Sequence, residues 1–254
     1  VYKRQSRMFL IKGIVTDEIF SRLENAGDDV QDPDYERLVR LRKAVVGYVC
    51  ASAYYLVIPQ LDLVLTPTGF GVVSNQNVAP ASADRVQRLR SQIHFQEHLY
   101  MDEIIDLLRP VVNWGKSTQG GYFFNTLFWK GEHVRQFGVA SPTRDDLVER
   151  WPDIEGAARD LQLALSPELY KALLGAEATA SATPMQSALI TMWRSATVAW
   201  CRHDGSWRRN LQAMLLFVEE NVDDFPEYRD SPTYIATHSQ RYENKKDDPC
   251  FFFG

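Results

Sequence analysis

Apolar positions recur at helical spacing along most of the chain, and proline or glycine breaks the pattern at a few points. Asp32-Pro33 reads as an N-cap followed by proline at the first helical position, where its missing N–H costs nothing. From there Leu38, Leu41, Val45, Val49 and Leu56 keep one face apolar, Glu36 and Arg40 pair one turn apart on the wet side, and Pro59 closes the helix. Leu61 to Leu65 then alternates, Pro67-Thr68-Gly69 can turn, and Phe70 to Val73 returns, which predicts a β-hairpin within 61–76. Ser82 caps a long helix through Val86, Leu89, Ile93, Tyr100, Ile104 and Leu108, ended by Pro110. Residues 111–125, rich in Gly, Ser, Thr and Asn, read as a linker. Short helices are expected around 129–138 and 143–164. Further helices run from Ser166-Pro167 to Gly175, from Thr183-Pro184 to about Arg202, and from Trp207 to about Asp224. Residues 226–254 read as a polar tail that ends in Cys250-Phe251-Phe252-Phe253-Gly254.

The two halves share more than composition. Asp17 to Leu23 matches Pro167 to Leu173 in pattern, 150 residues on. At an offset of 151, Pro33 falls on Pro184, Leu38 on Leu189, Lys43 on Arg194 and Cys50 on Cys201. At 122, Leu89 falls on Leu211, Phe95 on Phe217 and Asp102 on Asp224, so the second copy reads as the first with the hairpin removed. The expected fold is therefore mainly α: a first helical unit over 6–110 carrying an inserted β-hairpin, and a diverged second unit over 126–225.

Composition adds limits. With 254 residues, 45% hydrophobic and 24% charged, the chain has the make-up of a globular protein rather than a disordered one. A net charge of −5 speaks against sequence-specific nucleic-acid binding, which needs a surplus of Lys and Arg on one face. Cys50, Cys201 and Cys250 offer no CxxC pair and no disulfide framework, which fits a reducing compartment. Ala44 to Leu61 is uncharged over 18 residues, but Ser52, Tyr54, Tyr55, Pro59 and Gln60 make it a core helix rather than a membrane span. Val1-Tyr2-Lys3-Arg4-Gln5 resembles the translation of a transposon end used in preparing sequencing libraries, so residues 1–5 are expected to be an artefact and the first unit to be truncated at its N-terminus.

Candidate chemistry is sparse, and the expectation is of no enzyme, no cofactor and no catalytic residue. The sharpest motif is His94-Phe95-Gln96-Glu97-His98, the inverted zinc-peptidase signature. On a helix His94 and His98 stand one turn apart and could share a metal while Glu97 polarises water, with Glu168 as a downstream third ligand. The plainer reading is two histidines at the border of an amphipathic helix, so the preferred metal assignment is none and His94, Glu97 and His98 form the alternative. Gly115-Lys116-Ser117 lacks the glycine-rich turn of a phosphate loop. Cys201 and His203 diverge at i,i+2, and the aromatic run Tyr122 to Trp129 has no basic groove beside it to bind nucleic acid. A triple Phe at the chain end needs a receiving surface, on its own domain or on a neighbouring subunit.

Ala53 to Asp62, Leu65 to Pro80 and the ending Tyr242 to Gly254 resemble an uncharacterised family encoded in prophages of Bacteroidetes. Each half is also similar, more loosely, to the small helical head–tail connector proteins of tailed phages. The short helix Pro167 to Gly175 and the small-residue-rich helix Ser187 to Cys201 carry that likeness. The resemblance implies a virion structural protein, a head–tail connector or head-completion subunit, present in the host cytoplasm during assembly. It would form a homo-oligomeric ring and meet portal, tail or neighbouring connector proteins, with no membrane partner. Leu63, Leu65, Phe70 and Val72 of the hairpin and Phe251, Phe252 and Phe253 of the tail are the interface candidates. A zinc-dependent hydrolase and a host-directed scaffolding protein are the alternatives.

Overall fold

The structure, a computed structural model, describes residues 1–25, 34–61, 63–66, 69–72, 82–111 and 114–238. The chain is mainly helical. In order come α1 (Tyr2–Gly13), α2 (Asp17–Asn25), α3 (Tyr35–Val57), β1 (Leu63–Thr66), β2 (Gly69–Val72), α4 (Ala83–Leu108) and α5 (Thr118–Gly121). Then follow α6 (Arg144–Ala164), α7 (Pro167–Ala178), α8 (Pro184–Cys201), α9 (Ser206–Glu220), α10 (Pro226–Arg229) and α11 (Pro232–His238). Short 3-10 turns punctuate these, among them Trp114–Lys116 and Gly131–Phe137. β1 and β2 pair antiparallel, with Leu63 opposite Val72 and Leu65 opposite Phe70.

Local chemistry sets several helix starts. Thr183 caps α8 in a reciprocal box: its hydroxyl accepts from the Gln186 N–H at 3.2 Å while the Gln186 amide oxygen accepts from the Thr183 N–H at 3.0 Å. Thr143 and Asp146 close a similar box at α6, with Thr143 N–H to Asp146 Oδ2 at 2.8 Å and Asp146 N–H to Thr143 Oγ1 at 3.3 Å. Asp32-Pro33 lies outside the described residues. α3 starts one residue after Asp34, whose carboxylate pairs with Arg37 at 2.5 Å and Arg22 at 3.3 Å instead of capping.

The chain divides into two compact units, Val1–Glu155 with Glu177–Ser181, and Gly156–Ala176 with Ala182–Gly254. The division falls inside α6, well beyond the expected second-unit start at residue 126. In the first unit α3 packs along α4, while α1 and α2 close over α3. Leu38, Leu41 and Val45 are buried as the helical spacing predicts, but Leu56 and Leu89, toward the end of α3 and the start of α4, are exposed among the described residues. Together, α3 and the 3-10 turn Ile58–Gln60 are long and apolar enough to cross a membrane, although Leu38, Leu41, Ala44, Val45, Tyr48, Ser52 and Ala53 are buried.

Of residues 111–125, expected as a linker, Val111, Trp114 and Phe123 belong to the core of this unit. Trp114 is 1% exposed, its ring stacks on Phe123 at 5.5 Å, and its Nε1–H donates to the Ile14 carbonyl at 2.9 Å. The glycines and serines of the segment serve tight turns around that ring: the Ser117 hydroxyl donates to the Trp114 carbonyl at 2.6 Å and accepts from the Gly120 N–H at 2.9 Å. Behind it, the buried Arg109 guanidinium lies 4.1 Å from the Trp129 ring centroid and donates to the Phe123 carbonyl at 3.0 Å.

In the second unit α8 packs along α9, and Trp193 of α8 meets Tyr170 of α7 at 4.8 Å. The stretch from Pro226, expected as a polar tail, begins with structure. Tyr228 is 2% exposed and its hydroxyl donates to Glu219 Oε1 at 2.6 Å, while Phe225 just ahead of it is fully buried. Two aromatics three residues apart anchor α10, which overrides the polarity of its neighbours.

Candidate functional site

His94, Glu97 and His98, the sharpest motif in the sequence, meet a partner that the sequence did not single out. His94 and His98 stand on consecutive turns of α4, and their Nε2 atoms lie 3.0 Å apart. Asp145, in the first turn of α6, brings Oδ2 to 3.3 Å from His94 Nε2 and 3.7 Å from His98 Nε2. Among the described residues these three are a group of His, Cys, Asp or Glu side chains able to hold one metal ion.

Each ring is held from behind. Tyr55 of α3 stacks on His94 with centroids 5.0 Å apart, and the Arg90 guanidinium lies 5.0 Å from the Tyr55 ring centroid. Glu97 Oε2 lies 3.5 Å from His94 Nδ1, on the side away from the Nε2 convergence. The Glu97 carboxylate also takes the hydroxyl hydrogen of Tyr48. Glu97 is therefore a positioning group for His94 rather than a ligand, and its side chain is only 15% exposed. On the far ring, the Arg144 N–H donates to His98 Nδ1 at 3.3 Å.

Electrostatics follow from this packing. Burial, reinforced by the neighbouring His94, holds the His98 imidazole below the ordinary histidine value, so it is neutral at pH 7. Burial first, and then the Glu97 carboxylate, push the Tyr48 phenol up to about 12. One turn along α4, burial raises Asp102, although its carboxylate accepts from the Gly131 N–H at 3.0 Å and the Glu132 N–H at 3.3 Å. Those two bonds tie the 3-10 turn Gly131–Phe137 to α4, and the capping box of Thr143 then fixes where Asp145 points.

With Nδ1 of His98 accepting from Arg144, a neutral His98 carries its proton on Nε2 and gives it to His94 Nε2. His94 Nδ1 faces Glu97 Oε2 at 3.5 Å. Two ring nitrogens and a carboxylate oxygen thus meet at one point, and such a cluster can hold a cation.

The other expected site residues lie elsewhere. Leu63, Leu65, Phe70 and Val72 form two cross-strand pairs by backbone register, and Phe251, Phe252 and Phe253 fall outside the described residues. Gly115-Lys116-Ser117 spans a 3-10 turn and its exit, and within the aromatic run Phe123, Phe128 and Trp129 are core. Glu168 accepts from the Ser166 hydroxyl at 2.9 Å at the start of α7. A groove of about 370 Å³ runs between α1, α2 and α3, lined by Arg7, Phe20, Leu23, Val46, Val49 and Cys50 among others, with Arg7 paired to Glu24 at its edge.

No curated protein and no solved structure matches the chain. Residues 11–123 match a family of unknown function, DUF6712. The chain is thus similar to that family across a stretch that carries His94, Glu97 and His98 and stops short of Asp145.

Proposed function

We propose that the chain is a structural subunit of a tailed-phage particle, a head–tail connector or head-completion component that works by packing against copies of itself and neighbouring proteins. The observation that carries this reading is an apolar stripe on α3 that is exposed among the described residues. Val46 (55% exposed), Cys50 and Tyr54 (44% exposed) follow one another at i,i+4, flanked by the half-buried Val49 and Val57. The stripe floors the groove beside α1 and α2, and a helix face of this kind needs a partner surface. The proposed occupant is a second copy of the chain, packed head to tail so that rotation closes a ring. The hairpin and the tail would add strand contacts at its rim.

A repeated helical unit is the second part of the proposal, and several correspondences support it. Thr16 caps α2 through the Ile19 N–H at 3.3 Å, and Ser166, 150 residues on, caps α7 through the Leu169 N–H at 3.2 Å. Around those caps Val15, Ile19, Phe20 and Leu23 are buried, as are Leu165, Leu169, Tyr170 and Leu173. In α3 and α8 the buried positions coincide at 152 rather than 151, pairing Leu41 with Trp193, Ala44 with Ala196 and Val45 with Thr197. Each unit then continues into a helix packed along the previous one, with the β1–β2 segment as the insertion in the first.

The hydrolase alternative has His94 and His98 in its favour. Against it, Glu97, the carboxylate its signature assigns to a metal-bound water, faces the rear nitrogen of His94 and the Tyr48 hydroxyl. Light scattering after size exclusion tests the ring, with the chain alone and with its portal protein. The expected result is a closed oligomer that Val46→Glu disperses. A chain that stays monomeric at high concentration in both samples overturns the proposal.

A further inference from the structure

We infer that His94 Nε2, His98 Nε2 and Asp145 Oδ2 bind one divalent transition-metal ion, zinc above all, which clips α4 to the start of α6. The three atoms are separated by 3.0, 3.3 and 3.7 Å. A tetrahedral zinc with bonds of about 2.0–2.1 Å sets its ligands about 3.3 Å apart, so the edges straddle that value before any ion draws them together. The donor set is two borderline imidazoles and one hard oxygen, which suits zinc and disfavours calcium or magnesium.

Three further observations point the same way. The ligands come from two elements, each locked on its own account: α4 by its packing along α3, and the α6 start by the Thr143–Asp146 box. His94 has a carboxylate behind Nδ1, the arrangement that holds a ligating imidazole with its Nε2 lone pair forward. Finally, the meeting point brings three Lewis-basic atoms within 4.8 Å of one another. Asp145 is 74% exposed and His94 35%, so the fourth position opens to water. Arg144 is the nearby positive group, and its guanidinium lies 4.7 Å from the Phe123 ring centroid.

His98 must move its proton from Nε2 to Nδ1, which leaves the Arg144 N–H facing a donor in place of an acceptor. The 143–144 turn therefore has to yield when the ion enters, which weakens binding relative to a preformed structural zinc site. The inference is independent of the ring proposal: a ring without zinc, or a zinc-binding monomer, would separate the two.

The test is titration of Zn²⁺ alone into the tag-free, chelator-treated full chain against a chromophoric chelator, repeated with Co²⁺. The expected result is one ion per chain, weakened at least about tenfold by His94→Ala, by His98→Ala and by Asp145→Asn. Bound Co²⁺ should give the intense visible absorption of a four-coordinate ion, lost in the same variants. Asp145 is exposed, so Asp145→Asn keeps the fold, and circular dichroism checks the other two. Absence of saturable binding below about 0.1 mM, or one-to-one binding that Asp145→Asn and His94→Ala leave unchanged, overturns the inference.

Discussion

Trp114 gives the sharpest test of how the first unit is built. If residues 111–125 were a linker, replacing Trp114 would leave stability nearly unchanged. The structure instead places its ring at 1% exposure, stacked on Phe123 at 5.5 Å and edge-on to Phe124 at 5.9 Å, with its N–H on the Ile14 carbonyl at 2.9 Å. Trp114→Ala removes the largest fully buried side chain of the unit and orphans that carbonyl. A buried tryptophan truncated to alanine loses about 3–5 kcal/mol, and an unsatisfied buried carbonyl adds about 1–3 kcal/mol. A loss of about 4–8 kcal/mol approaches the whole stability of a typical domain. With a urea dependence of about 2 kcal/mol/M, the unfolding midpoint followed by far-UV circular dichroism should fall by about 2–4 M. Trp114→Phe keeps the stack and drops only the hydrogen bond, so about 1–3 kcal/mol should go. A midpoint shift under about 0.5 M for Trp114→Ala would refute the placement of this segment in the core.

Two further outcomes follow from the packing. A Cβ on Gly120 would sit 2.0 Å from the Trp114 carbonyl oxygen, whereas one on Gly175 of α7 meets nothing within 4 Å. Gly120→Ala should destabilise by about 1–3 kcal/mol, and Gly175→Ala should stabilise by about 0.5–1 kcal/mol, both read by urea unfolding; equal effects would count against the turn geometry around Trp114. His98 sits below its unfolded value, so above about pH 6.5 its contribution to stability is complete. As pH falls through that value towards the lowered folded one, the unfolded state binds the extra proton and stability drops. His98→Gln should flatten the fall in unfolding free energy between about pH 7 and pH 5; an unchanged slope would contradict the neutral assignment.

Helix starts were legible because their chemistry is local. Thr183-Pro184, Ser166-Pro167 and Ser82 each stand at the first residue or the cap of a helix, although the Ser82 hydroxyl makes no capping bond. The segment 111–125 was misread because Gly, Ser and Thr form the same vocabulary in a linker and in a tight turn wrapped on a tryptophan. Its signal lay in Trp114 and Phe123, two large apolar side chains that a solvated connector would not carry. The histidine pair was visible from its i,i+4 spacing. Its carboxylate was not: Asp145 is 51 residues from His94, and with 33 acidic residues in the chain only tertiary structure selects it. Glu97 looked like the obvious companion, but at i+3 from His94 it meets the rear nitrogen of the ring and the Tyr48 hydroxyl.

The Tyr48 hydroxyl, Glu97, His94, His98 and the backbone of Arg144 follow one another as neighbours from the middle of α3 to the first residue of α6. Damage in α3 therefore has a short route to the place where α6 begins: removing the Tyr48 hydroxyl loosens Glu97, and Glu97 is the group that backs the His94 ring.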